Sequence, residues 1–361
     1  MIVERKKLTM GLIAVLMLLV LAYVFSSFGD VGVKLPGYNR ETDNFFYKQY
    51  YDGVLTGGYF EKGYQFTARV FHSLGFTFNV FKFVMFVLSM VLVGRTICKY
   101  NYNYAFLVIL YALSAYPKDL EQIRSFFAMS IVIFALPYLF DERPSVIKII
   151  KYLVCIAVAM LFHNSAVFFA LFLLVPLLRD TIVVNWLYLI ITCACIAIKF
   201  LPFSGSLISR LAFLVTNNDR TDMWFSFSAG MSFYLCVCLH GILLFAIHRQ
   251  NRKTKWLINN GVSYENWSFV NFGYQSLQVM SFVFPMYLFS SEFFRMYRSM
   301  LVFYFAVILE QAAFIDEHSE MSLGDEKRKG ALVIIAFTIL YLVAFKPFSV
   351  IINYYQAIGG M

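Results

Sequence analysis

Long apolar runs alternate with short polar segments along the whole chain. Runs at Leu8–Phe28, Phe76–Gly94, Phe126–Phe140, Trp186–Leu201, Met231–Ile247, Phe269–Phe289 and Ala331–Phe345 approach or reach the about 20 residues that a helix needs to cross a bilayer. Less clean stretches lie at Ala105–Ala115, Ile149–Phe162, Ala166–Leu178 and Met300–Ile315. Together they predict roughly 11 spans, within a range of about 10 to 12. The intervening polar segments are too short for a separate soluble domain. The largest are a first external loop over 29–74, patterned for one or two short amphipathic helices, and a second over 202–228. The expected fold class is all-α: one integral membrane domain over 1–361, a polytopic transmembrane helix bundle.

Composition agrees with that pattern. Hydrophobic residues make up 60% of the chain and charged residues 14%, against roughly 25% charged in ordinary soluble domains. Most of the surface therefore has a bilayer for its solvent. The first apolar run follows Arg5, Lys6 and Lys7, as a signal peptide would. It exceeds the usual 7–15 or so apolar residues and no small-residue cleavage site follows, so a retained anchor is expected.

Charge sets the orientation. Alternate loops carry Arg5, Lys6 and Lys7, then Arg95 and Lys99, then Arg143, Lys148 and Lys151, then Arg179, then the runs His248–Lys255 and Lys327–Lys329. By the positive-inside rule these loops are cytoplasmic, and so is the N-terminus. The formal charge of +9 is spread over many short loops instead of one patch, so nucleic acid is not an expected partner. The six cysteines lie in or beside apolar segments. Residues two apart on a helix point to opposite sides, so neither Cys193/Cys195 nor Cys236/Cys238 can chelate a metal on one face. Phosphate-binding glycine loops, metal-spaced His/Cys clusters and nucleophile elbows are missing, which argues against ATP hydrolysis on this chain.

Charges at membrane helix ends are costly and mark function, and here they collect on the outer side. In the first external loop, Asp43, Tyr47, Tyr50 and Tyr51 share one face of a predicted short helix that stops at Gly53. That face combines a carboxylate with phenols suited to sugars; interfacial anchoring is the competing reading of the tyrosines. Glu61, Gln65 and Arg69 fall at i, i+4 and i+8 and predict a polar stripe, in its plainest form a local ion pair. After Pro117, Asp119 is placed to cap the next helix, with Glu121 and Arg124 on one face. Another outer turn carries His163, Asn164 and Ser165. Glu292, Arg295 and Arg298 are spaced to open a late helix, where cations oppose the macrodipole and point to an anionic ligand. Arg210 and Arg220 sit in the second external loop. Glu310 is the main charge inside a span.

Read in order, these segments resemble the EpsG family, the Wzy-like polymerases of bacterial polysaccharide repeat units. The likeness lies in Asp43 with Tyr47, in Glu61, Gly63 and Tyr64 followed by Leu74 and Gly75, in Arg124 to Ala128, in Phe162, His163, Ser165 and Ala166, and in Arg295 with Tyr297. Where such families often have proline after the histidine, this chain has Asn164.

That resemblance implies a membrane glycosyltransferase, GT-C-like in fold. It would join undecaprenyl-pyrophosphate-linked oligosaccharides into O-antigen, capsule or exopolysaccharide at the outer face of the bacterial inner membrane. The partners implied are the lipid-linked substrate, the bilayer, and a chain-length regulator and flippase of the same pathway. No cofactor or metal is expected. On this reading Asp43 is the first-choice base, with Glu61 and His163 behind it. Arg69, Arg124, Arg295 and Arg298 meet the departing pyrophosphate, and Tyr47, Tyr64, Arg210 and Arg220 contact glycan. A lipid-linked oligosaccharide flippase and an O-antigen ligase are the alternatives. The first should carry its charges at mid-membrane, and the second a large periplasmic domain.

Overall fold

The computed structural model describes residues 43–53, 60–100, 104–175, 230–288, 293–318 and 325–345, with isolated positions at 13, 16, 17, 19, 20, 23, 186, 190 and 193. Every regular element among the described residues is helical. The expected spans Leu8–Phe28 and Trp186–Leu201 lie outside them apart from those isolated positions. Among the described residues, three helices are long and apolar enough to cross a membrane: Phe78–Ile97, Phe233–Asn259 and Asp325–Phe345. Shorter apolar helices cover Ile123–Leu139 and Asn164–Leu174.

Two compact units divide the chain. The first takes residues up to Tyr138, then Val146–Ala170, and again from Tyr341. It contains α1 (Asp43–Tyr51), α2 (Lys62–Ser73), α3 (Phe78–Ile97), α4 (Tyr104–Leu113), α5 (Tyr116–Glu121), α6 (Ile123–Ala135) and α7 (Val146–Met160). Local chemistry sets the element ends. Asp43 opens α1 where the helix dipole favours an anion, and Gly53 follows its end at φ +77, a conformation that costs residues with a Cβ. Gly75, at φ +79, turns the chain from α2 towards α3. Thr77 then caps α3, its side chain accepting the Val80 N–H.

The core of this unit is aromatic. Phe86 stacks on Phe126 at 5.6 Å between ring centroids, and Tyr111 stacks on the same ring at 6.2 Å. Lipid tails are as apolar as leucine, so such packing, more than transfer from water, holds membrane helices together. Each well-placed ring pair contributes about 0.5–1.5 kcal/mol beyond its buried area. Lys82, almost wholly buried in α3, is a charge inside a span that the hydropathy pattern hides.

The second unit comprises Leu139–Ser145 and Leu171–Leu340. Its described helices are α8 (Gly230–Asn259), α9 (Trp267–Met280), α10 (Phe294–Arg298), α11 (Leu301–His318) and most of α12 (Asp325–Phe345). Helix α8 packs on α9 and α11. A Cβ at Gly273 would lie 2.5 Å from a methyl of Val307, so that glycine sets the close approach of α9 to α11. Glu326 accepts from Arg249 at 3.0 Å and Lys253 at 2.7 Å, while Asp316 caps α12 by accepting the Glu326 and Lys327 N–H groups. The basic runs 248–255 and 327–329 thus share one end of this unit. Glu310 is buried and accepts from Asn266 at 2.7 Å. Cys236 is buried and Cys238 exposed, as residues two apart must be.

Candidate active site

In the first unit, α1 and α2 fold back on each other through aromatic rings. Tyr47, on the inner face of α1, meets Phe60 at 5.4 Å and Tyr64 at 5.7 Å. Tyr50 meets Phe60 at 5.1 Å. Tyr51 stacks on Phe81 of α3 at 5.3 Å, and its hydroxyl donates to the Phe76 carbonyl at 2.7 Å. Tyr47 and Tyr51 are nearly buried and Tyr64 has no exposed surface. These phenols are interior side chains, not the interfacial anchors that their spacing allowed. Burial pushes the Tyr47 hydroxyl up to about 12, against the opposing pull of the Arg124 charge, and it lifts Tyr64 well above the ordinary tyrosine value.

Into this aromatic bowl reaches Arg124 from α6. Its guanidinium lies 4.4 Å from the Phe60 ring centroid, 4.9 Å from that of Tyr47 and 5.7 Å from that of Tyr64. From the same position it forms an ion pair with Glu61, 63 residues earlier in the chain. The other Glu61 oxygen meets His163 Nδ1 at 3.2 Å and accepts the Asn164 N–H at 3.2 Å. Burial raises the Glu61 carboxyl, but the His163 hydrogen bond and the Arg124 charge outweigh it and hold the group at about 2. Glu61 is therefore an anion with both oxygens engaged.

The backbone makes the same junction. Leu161 O accepts from the N–H of Gly63 at 2.7 Å and from that of Tyr64 at 3.3 Å. A Cβ at position 63 would stand 2.7 Å from that oxygen, so only glycine allows the approach. The start of α2 and the turn carrying His163 are thereby fastened together.

The polar stripe on α2 differs from its expectation. Glu61 is the N-cap of α2, and its partners are the long-range Arg124 and His163. Gln65 turns back to the Phe60 carbonyl, and exposed Arg69 donates to the Gln65 carbonyl at 3.2 Å. Asp43, half-buried, accepts from Gln122 at 3.5 Å. Asp119 does not cap α6; it is buried and accepts from the Tyr111 hydroxyl at 2.9 Å. Gln122, at φ −112 and ψ 52, breaks the helix between α5 and α6, so Glu121 and Arg124 do not share a face. Glu121 instead takes Lys118 at 2.8 Å.

Arg295 and Arg298 belong to the second unit. They occupy the last turn of α10, a helix of five residues, so the macrodipole mismatch predicted for them does not arise. Arg295 is exposed and Arg298 buried. Arg210 and Arg220 lie outside the described residues. Among the described residues no group of three or more His, Cys, Asp or Glu side chains could hold a metal ion. Phe60, Gln122 and the Leu161 carbonyl were not legible as parts of the cluster: one is a plain apolar residue and another a backbone atom.

A sequence profile of the EpsG family matches residues 15–357, nearly the whole chain. No curated protein and no solved structure matches significantly.

Proposed function

The chain belongs to the EpsG family, and from that premise we propose that it is a metal-independent membrane glycosyltransferase that polymerises undecaprenyl-pyrophosphate-linked oligosaccharide repeat units. The reaction takes place at the outer face of the bacterial inner membrane, with the N-terminus in the cytoplasm. Its product is O-antigen, capsule or exopolysaccharide, made beside the flippase that delivers each unit and the regulator that limits chain length. One observation carries this reading: segments 63 and 102 residues apart converge in the Arg124–Glu61–His163 network, at loop ends expected to face outward.

In the reaction, a hydroxyl oxygen of the incoming unit bonds to the anomeric carbon of the growing glycan. The bond from that carbon to the lipid pyrophosphate breaks, and the hydroxyl proton passes to a base. Glu61 is a weak base because its carboxyl is held at about 2 and both its oxygens are already engaged. It suits the role of orienting carboxylate: an ionised acceptor on Nδ1 makes that nitrogen the donor and leaves Nε2 of the neutral ring with its lone pair. His163 is thus the base, and Glu61 its positioning residue. Asp43, half-buried and accepting from Gln122 at 3.5 Å, is the second candidate. Arg124, engaged by Glu61 and three rings, fixes the dyad. Departing pyrophosphate falls to exposed Arg69, with Tyr47 and Tyr64 as the floor beneath Arg124.

Deleting the gene in its host and analysing the lipid-linked glycans tests the reading. Single repeat units should accumulate on the outer face; polymer of normal length would overturn it. Accumulation inside would indicate a flippase, and long unattached chains a ligase. At residue level, His163→Ala should slow chain growth by about 10²–10⁴-fold with insertion intact, and added imidazole should restore part of it. Asp43→Asn should cost less.

A further inference from the structure

Helix α2 has three distinct sides. Tyr64 and Ala68 are buried against the unit, with Phe71 packed beside them on Phe76 and Phe81. A second side carries Phe66, Val70 and Leu74 at i, i+4 and i+8, and this apolar stripe is open: Phe66 is 66% exposed and Leu74 65%. A third side carries Lys62, Gln65, Arg69 and His72, and the helix contains no acidic residue. Exposed apolar side chains also line the span that follows it in the chain. Beyond the Gly75 turn, Phe76 is exposed, and along α3 so are Val80, Leu88 and Val91. Helix α3 is long and apolar enough to cross a membrane, so the same lipid that covers its open face reaches the stripe on α2.

We propose that α2 lies in the membrane–water interface, with Phe66, Val70 and Leu74 in hydrocarbon and Lys62 and Arg69 at the lipid phosphates, as the surface over which the lipid-borne substrate reaches the site. The occupant is the phospholipid bilayer. An apolar stripe beside a cationic one is the pattern of interfacial helices, and the positive charges match the anionic phosphates at that depth. The functional half of this inference rests on the polymerase reading. It assigns α2 a task beyond carrying Glu61. Lipid-linked pyrophosphate travels at headgroup depth, and a 12-residue helix lying there spans about 18 Å, with Glu61 and the joined His163 turn at its N-terminal end.

Thiol labelling in membrane vesicles of phosphatidylethanolamine and phosphatidylglycerol tests the placement. With the parent chain's own cysteines as background, Phe66→Cys and Leu74→Cys should react about tenfold more slowly with a membrane-impermeant maleimide than Asp52→Cys on the exposed turn after α1. All three should react with a permeant one. Equal rates with the impermeant reagent would overturn the proposal. Protection that vanishes in nanodiscs holding a single chain would give the stripe to a second copy instead, and also overturn it.

A second measurement separates placement from function. The Phe66→Ser/Leu74→Ser pair should lower elongation of undecaprenyl-linked units while sparing a short-chain, water-soluble analogue. Equal loss on both substrates would mean that the stripe serves folding and not substrate arrival. If the parent chain elongates neither, the polymerase reading fails and the labelling result still decides where α2 lies.

Discussion

Arg124 and Glu61 form a largely buried ion pair, with side chains 15% and 13% exposed, on the faces of Tyr47, Phe60 and Tyr64. The pair joins the start of α6 to the start of α2, and His163 holds the same carboxylate from a third segment. The contacts of Glu61 depend on both of the other groups staying in place.

Replacing the cation should show this. Arg124→Ala leaves a buried carboxylate without its counter-charge, and losses of about 3–5 kcal/mol are typical of such half-broken pairs. Arg124→Lys keeps a charge but loses the planar fork that lies on the rings while reaching the carboxylate, and should cost about 1–2 kcal/mol. Thermal unfolding in detergent measures both. An unchanged melting temperature for Arg124→Ala would mean that the pair contributes no stability.

The pH dependence follows from Glu61. Its folded-state value is depressed from 4.5 to about 2, so the stabilisation it brings is complete above its unfolded value and is lost as pH falls from about 4.5 towards 2. The shift corresponds to roughly 3 kcal/mol as an upper bound. The melting-temperature gap between the parent chain and Glu61→Gln, compared from pH 7 to pH 3, should narrow by about half at the acid end. A gap that persists undiminished at pH 3 would assign the stabilisation to another group.

Gly63→Ala is the smallest change that separates the two halves of the site. The added methyl meets backbone, the Leu161 carbonyl, which cannot swing aside as a flexible side chain can. A cost of about 1–3 kcal/mol is expected, with chain growth falling further than stability because His163 moves relative to Glu61. Equal chain growth in parent and variant protein, at equal membrane abundance, would contradict the coupling.

How far the site was legible in the sequence varies residue by residue. Helix α1 was readable because both ends carry local signals, Asp43 at the start and Gly53 after the end. Positions of α3, α8, α11 and α12 followed from apolar runs, although helices extend past such runs by several polar residues. Two readings failed for one reason: local spacing was taken for local contact. Glu61, Gln65 and Arg69 do sit one turn apart, but a carboxylate facing inward finds stronger partners across the fold. Glu121 and Arg124 are three apart, but the kink at Gln122 removes the helix between them. Arg295 and Arg298 end a short helix instead of opening a long one, because the chain turns at Ser299 and Met300 before α11 begins. Periodicity also cannot show 3-10 geometry. The apolar segments Asn164–Leu174 and Ser281–Leu288 adopt it with nothing in their composition to mark them.

The hydrogen bonds from Gly63 and Tyr64 to Leu161 bear on how this chain can be re-engineered. Swapping loops between members of the EpsG family is a natural route to altered function, and each loop looks like an independent cassette. Here they are not independent. A chimera that takes residues 60–66 from one parent and 161–166 from another breaks the seam and parts His163 from Glu61, whereas exchanging both stretches together with Arg124 moves an intact cluster.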